Sequence, residues 1–443
     1  MDIKLSDHFT LKRLLRFTIP SIFMMIFTSV YGVVDGLFVS NFAGKTPFAA
    51  VNFTFPLLMM LASVGFLFGT GGSALVAKML GEKREEKAHR TFSLIVLVSF
   101  ILAIIISTTG FIYMENIISL MGAEGDLHKD SVLYGRILLP ALPFFVLQLE
   151  FQSFFITAEK PKLGLITTIV AGVLNMVLDA LLVWAFPFGL VGAAVATGLS
   201  QVVVGVIPIV YFSFPNTSLL KFKKPKWDIK ALIKTCTNGS SELLNNISMS
   251  LVCMLYNIQL LKFAGENGVL AYGVMTYVNM IFISVFIGYS IGTAPIISFH
   301  FGAKNPSELK SLLKNSGILI GAFSVSLLAL ALILNYPLSY VFVGYDKELL
   351  SMTVKGFAIY AFSFLFSGAA MFFSSLFTAL NDGITSAFIA FMRTIVFEIS
   401  AVMLLPLVFG LDGIWASVVV AEAMAVVVGM ICLFAKRKKY GYL

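Results

Sequence analysis

Charge is scarce in this chain. Only 12% of its 443 residues are Asp, Glu, Lys or Arg, about half the share in soluble globular domains. That excludes a fold with a solvated surface. Cysteine is scarcer still: Cys236, Cys253 and Cys432 fall in or beside apolar runs at unrelated spacings, so neither a disulfide framework nor a thiolate metal site is expected. The four histidines, His8, His89, His128 and His300, do not cluster. GTGGSALVAK (Gly69–Lys78) has a phosphate-loop look, but no glycine precedes the lysine and no strand leads into it, so it reads as close-packing helix. There is no nucleophile elbow, no paired metal motif and no soluble nucleotide-binding region. Neither an enzyme activity nor a cofactor is expected. A cleavable signal peptide is not expected either, because the first apolar run is too long and lacks a small-residue cleavage site.

What is present is apolar. Hydrophobic residues make up 58% of the chain, with 43 Phe and 35 Gly and a mean hydropathy of +0.94. This is the composition of an integral membrane protein, in which glycine lets helices pack closely. Apolar segments are expected at 13–42, 48–79, 91–113, 131–157, 163–186 and 190–214, then at 231–263, 268–300, 311–334, 351–379, 384–409 and 412–435. The first run, Phe17–Gly44, holds one proline, Pro20, and one formal charge, Asp35. At ~1.5 Å per residue it spans roughly 42 Å, more than the ~30 Å a bilayer core needs. Pro20 removes a helix hydrogen bond and is the expected hinge. Asp35 costs on the order of 3 kcal/mol there unless it faces protein or water. A tilted helix with a polar anchor at its outer end is the plainer alternative.

Lysine and arginine set the expected orientation. Twenty-four of the 31 fall on the side of the leader, the tail and every even-to-odd connection; six, Lys45 among them, fall opposite, and Arg393 lies within a span. Both termini are therefore expected in the cytoplasm. The net charge of +8 is a topology signal, and no nucleic-acid partner is expected.

The chain also repeats itself. At an offset of 221 residues, Phe42-Ala43-Gly44 falls on Phe263-Ala264-Gly265, Gly81 and Lys83 on Gly302 and Lys304, Ser153 and Thr157 on Ser374 and Thr378, and Gly192 on Gly413. One constant offset predicts two six-helix bundles without net insertions, related by a pseudo-twofold axis along the membrane normal. The expected fold is all-α, with twelve transmembrane helices: an N-lobe over 1–214, a linker over 215–230 and a C-lobe over 231–443.

Six carboxylates lie within the spans, Asp35, Glu150, Asp179, Glu242, Glu398 and Glu422, against the single cation Arg393. At roughly 3 kcal/mol each, most must line water, pair or carry a proton. Glu422 sits nearest a span end, where it would simply anchor the helix, and Glu398 is too far around the helix from Arg393 to pair with it directly. Asn175 and Asp179 are one helical turn apart, as are Tyr31 and Asp35. Thr197 lies in a run of small residues, GAAVATGLS. This set suits a monovalent cation such as Na⁺, or a proton shared by coupled acids; an inert interhelical hydrogen-bond lock is the alternative. The 221-residue shift turns Asp35 into Tyr256 and Asp179 into Ser400, so ion binding is expected in the first half only. The second half offers Glu242, Asn245, Asn246 and Met249, which suit a bulky lipophilic cation or a buried contact between halves.

Several stretches together resemble the multidrug and toxic compound extrusion (MATE) family. They are FTIP and VVDGLFVSNFAG in the first span, TAEKPKLG after the fourth, NMVLD and GAAVAT in the fifth and sixth, GTAPIIS with FGAKN around the eighth, and GIWASVVVAE in the twelfth. The resemblance covers nearly the whole chain. It implies two six-helix lobes about a cleft and an antiporter that exports organic cations in exchange for H⁺ or Na⁺. The family's N-lobe ion site would fall on Asp35, Asn175, Asp179 and Thr197, with Tyr31 adjacent and bending at Pro20. Gln152 and Glu150 would join the C-lobe polar stripe in lining the substrate cavity. The seventh span opens NGSSELL, without the proline many members carry there. Small amphipathic cations and membrane lipids are the expected partners, and a monomer in a bacterial-type cytoplasmic membrane is the expected form. The rival readings are a lipid-linked precursor flippase of related architecture and a non-transporting receptor or channel.

Overall fold

The computed structural model describes residues 3–442, with side chains for all of these but 37, 40, 41, 45 and 250, so Lys45, counted above, lies outside the side chains described. Among the described residues every regular element is helical. Nine helices are long and apolar enough to cross a bilayer, or ten when Lys347–Ala361 and Phe364–Ala379, bent by 46°, count as one span. Two are too long for a single crossing. Ile229–Gly302 has 74 residues and Gly383–Tyr440 has 58, far beyond the ~20 residues a crossing needs. Each doubles back at one left-handed glycine, Gly265 (φ 59°, ψ −152°) and Gly410 (φ 57°, ψ −136°). Twelve crossings result.

In chain order the crossings are α1 (Leu11–Phe38), α2 (Lys45–Gly81), α3 (Glu85–Leu120), α4 (Gly125–Thr157), α5 (Pro161–Ala185) and α6 (Gly189–Ser213). Then come α7 (229–264), α8 (266–302), α9 (Pro306–Val343), α10 (the bent pair), α11 (383–409) and α12 (411–440). Each half builds its own bundle. Helix α1 runs unbroken through Pro20.

The twofold relation is visible at one crossing. A β-carbon at Gly81 would collide with the Phe299 carbonyl, and one at Gly302 with the Lys78 carbonyl. Both residues of the second contact are 221 positions from those of the first, so the axis passes between α2 and α8 at their basic ends. The seam continues: Gly71 lies on the backbone of Thr235, Gly239 on that of Leu67 and Gly288 on that of Ile22, with Gly292 against the Thr18 side chain. Small residues let these backbones touch. Left-handed turns repeat as well. Gly44 and Gly265, Lys83 and Lys304, and Gly189 and Gly410 are each 221 apart, but Glu159 matches Asn381, one residue further on. The offset expected to be constant therefore slips by one before the end of α4, which stops at Thr157 where its counterpart stops at Ala379, and is recovered by Gly189 and Gly410.

Two straps close the basic end. The leader bridges the halves: the Leu5 amide donates to Glu159 Oε1 (2.6 Å), the Phe9 amide to Glu308 Oε1 (2.8 Å), and His8 Nδ1 meets Glu308 Oε2 at 2.6 Å. Asn315 Nδ2 donates back to the Phe9 carbonyl (2.9 Å), and Leu5 and Phe9 are fully buried. The tail is held by Asp382, which caps α11 and receives Lys436 Nζ and Tyr440 Oη, both at 2.7 Å. Burial raises this carboxyl's pKa, but the Lys436, Tyr440 and Thr385 hydrogen bonds outweigh it and bring it down to about 2.

Two outcomes follow. Gly81→Ala or Gly302→Ala places a methyl group against a backbone carbonyl, at an overpacking cost of about 1–3 kcal/mol. Either change should open the seam, raising at least fivefold the thiol labelling of a cysteine introduced at Ala77 in a background without native cysteines. Because the Asp382 pKa is depressed when folded, its stabilisation is complete above about pH 4 and is lost as pH falls toward about 2. Asp382→Asn should free residues 436–442 at neutral pH, read by hydrogen exchange, as acid does to the wild type.

Candidate ion and substrate sites

Helices α1 and α5 meet because Gly172 leaves room: a β-carbon there would come 2.5 Å from the Phe27 ring and 3.0 Å from Tyr31. That approach sets Tyr31 and Asp35, one turn apart on α1, against Asn175 and Asp179, one turn apart on α5. The Asp35 carboxyl lies beside Asp179, Asn175 and Thr197. Asn175 Nδ2 donates to Thr197 Oγ1 at 3.4 Å. Asp179 is fully buried, yet neither of its oxygens, nor Oδ1 of Asp35, finds a donor among the described residues. Ionised carboxylates only accept, so two facing one another cannot satisfy each other, and buried acceptors seldom go unmatched. A proton or a cation placed between them would complete the set.

Two further residues close this cluster, and sequence reasoning missed both. Gln148 of α4 lies near the Tyr31 hydroxyl. Tyr134 of α4 lies near Thr197 and both acids. Gln148 stands one turn before Gln152, and that spacing was the available signal. Gln152 lines a cavity of about 10 Å³ with Gln148, Thr167 and Thr168, room for one water, and both ends of its amide lack a protein partner.

Glu150 is a correction. It points the opposite way from Gln148 and Gln152, receives a short hydrogen bond from Ser99 of α3 and backs onto Gly69 of α2. It is buried inside the N-lobe and does not line a cavity between the halves. That central cavity, about 50 Å³, lies among Thr70, Ser73 and Ser153 on one side and Glu242, Asn245 and Ser290 on the other. Two of the four C-lobe residues expected there take part. Asn246 turns its amide onto the Glu242 carbonyl at 2.8 Å, and Met249, two turns further along, is 63% exposed.

Glu422 is the second correction. It does not anchor a helix end. It grips Arg393 through two hydrogen bonds, from Nε (2.9 Å) and Nη2 (2.6 Å), and Glu398 lies close to both charges. A wider π turn at Met392–Glu398 turns Arg393 toward α12.

Residues 20–181 and 243–404 each match the model of one family, MatE, so the family unit occurs once in each half. Over 432 residues the chain is 23% identical to the multidrug export protein MepA of Staphylococcus haemolyticus, covering 97% of this chain and 94% of that one. Among solved structures, a MATE protein in complex with MaL6 superposes with a TM-score of 0.91 at 22% identity, covering 97% of this chain and 98% of the other. A transporter from Pyrococcus furiosus, described as a MOP superfamily member whose binding pocket has reversed polarity, superposes at 0.90 with 22% identity over 98% and 97%.

Removing one partner of a buried ion pair strands the other charge and costs about 3–5 kcal/mol, whereas replacing both with apolar residues is often neutral. Arg393→Met should therefore lower the Tm of the detergent-solubilised protein by several degrees, and Arg393→Met with Glu422→Leu should recover most of it. A helix-anchoring Glu422 would give no such recovery.

Proposed function

The chain belongs to the MatE family, and from that premise we propose that it is a secondary antiporter exporting amphipathic organic cations in exchange for inward H⁺ or Na⁺. The observation that carries this reading is the pair of half-buried Asp35 and fully buried Asp179, three of whose four carboxylate oxygens are buried without a donor among the described residues. Two like charges this close repel, and that repulsion favours capture of one positive charge. Asn175 and Thr197 add neutral oxygens, and the buried Tyr134 and Gln148 separate the cluster from bulk water. The coupling ion is therefore a proton or a small monovalent cation.

Export needs two access states and an ion that binds them unequally. The basic end is cytoplasmic on this reading, and the glycine seam with its leader strap closes that face. Helix α1 joins seam and ion site: Thr18 and Ile22 lie on α8, Pro20 stands between them, and Asp35 lies about 22 Å further on. Loading the acids with H⁺ or Na⁺ removes their repulsion and changes how α1 packs on α5. The central cavity carries the carboxylate of Glu242, which suits a cationic cargo. A phosphate-bearing lipid cargo fits less well, because Arg393 is held by Glu422.

Ethidium efflux from vesicles, driven by a pH gradient or a Na⁺ gradient imposed alone, tests the proposal. One gradient should drive efflux, and Asp35→Asn or Asp179→Asn should each lower it at least tenfold while the protein still inserts. Unchanged efflux in both variants would refute the site.

A further inference from the structure

Away from both sites, a groove of about 540 Å³ runs down the C-lobe between α9, α10 and α12. Its floor is one face of α9, on which Lys310, Lys314, Gly317, Gly321 and Ser324 recur every three or four residues. A β-carbon on Gly317 or Gly321 would meet nothing within 4 Å, so α9 offers a flat, unobstructed trough. The facing wall is apolar and aromatic, with Phe372 and Phe373 of α10 and Leu433 of α12.

The two ends differ in chemistry. Lys310 and Lys314 stand exposed within the first turns of α9 at the basic end, and neither forms an ion pair among the described residues. At the deep end Ser324 is 3% exposed, and its hydroxyl has no partner among the described residues. From Lys310 to Ser324 the helix rises roughly 21 Å, against ~15 Å for the hydrocarbon of one leaflet. The lysines therefore stand at headgroup level while the glycine floor lies at acyl-chain depth. Two unpaired ammonium groups repel the organic cations proposed as cargo and attract a phosphodiester.

We propose that this groove binds one anionic phospholipid from the leaflet on the basic side, its phosphate between Lys310 and Lys314 and an acyl chain along Gly317 and Gly321. The bound lipid bridges α9, α10 and α12. It packs the C-lobe from outside the transport path.

Native mass spectrometry of the full-length, delipidated protein tests this with dioleoyl phosphatidylglycerol and dioleoyl phosphatidylcholine, which share acyl chains and differ in charge. The wild type should retain one phosphatidylglycerol at about tenfold lower concentration than phosphatidylcholine. Lys310→Gln with Lys314→Gln should abolish that preference, while Lys224→Gln with Lys226→Gln, a control pair on the exposed linker, should keep it. Gly317→Leu with Gly321→Leu, which fills the trough, should weaken retention of both lipids. Equal retention of the two lipids by the wild type, or equal losses in the two lysine variants, would overturn the proposal. So would displacement of the lipid by inorganic phosphate, which would assign the lysines a free anion.

Discussion

A carboxylate inside hydrocarbon must be answered by a partner, by water or by a captured positive charge, because leaving it bare costs several kcal/mol. The described structure answers its six in different ways. Glu150 takes a hydroxyl from Ser99, and Glu422 takes a guanidinium from Arg393. Glu398 shares the neighbourhood of that ion pair, and Glu242 faces the central cavity. Asp35 and Asp179 are answered chiefly by each other, which is no answer while both are ionised. Here, among the described residues, two acids face one another with no cation beside them, and the proposed exchange activity begins there.

The scaffold is symmetric and the chemistry is not. Gly81 on Phe299 and Gly302 on Lys78 form one contact and its image; exact duplication of backbone is possible there because glycine has no side chain to differ. Around this crossing the halves diverge freely. Where the N-lobe holds two acids, the C-lobe holds a closed Arg393–Glu422 pair and the buried, unpartnered Tyr256 hydroxyl. Rocking one bundle against the other needs matched backbones, whereas binding an ion needs only one site. Selection on packing and selection on charge can then act on different residues of the same helices.

How much of this could be read in the sequence depends on whether a feature is local or crosses helices. The spans, the repeat and the facing acids were legible, because charge in an apolar run is rare and a four-residue spacing fixes a helix face. The roles of Glu150 and Gln148 were not. Both stand in LPFFVLQLEFQSFF, and only packing decides that residues 148 and 152 face α5 while residue 150 faces α3. Glu422 was misread for the same reason: its partner lies 29 residues away on another helix, and proximity to a span end outweighed it. The one-residue slip before α11 was hidden because short matches at 221 bracket it on both sides.

Helix α1 is the element through which a local charge change can reach the far side of the molecule. Its leader binds Glu159 of one half and Glu308 of the other, so its basic end cannot move without loosening a strap between them. One turn of seam contact follows, from Thr18 to Ile22 on α8, and Pro20 interrupts the helix hydrogen bonds within that turn. A helix bends most readily where a bond is already missing, and here that point coincides with the contact that holds the lobes together. On the proposed mechanism, a shift at Asp35 that α5 imposes on the outer part of α1 would be relieved at Pro20, where the relief acts on the seam. The C-lobe differs: α7 carries NGSSELL without a proline in its first turns, and the segment leading into it binds α3, through Lys221 to His89, Lys223 to Ser93 and Asp228 to Lys87. The lobe that holds the two facing acids is also the lobe whose first helix can yield, and on the proposed mechanism this coincidence would let a single bound charge bias which face of the protein stays closed.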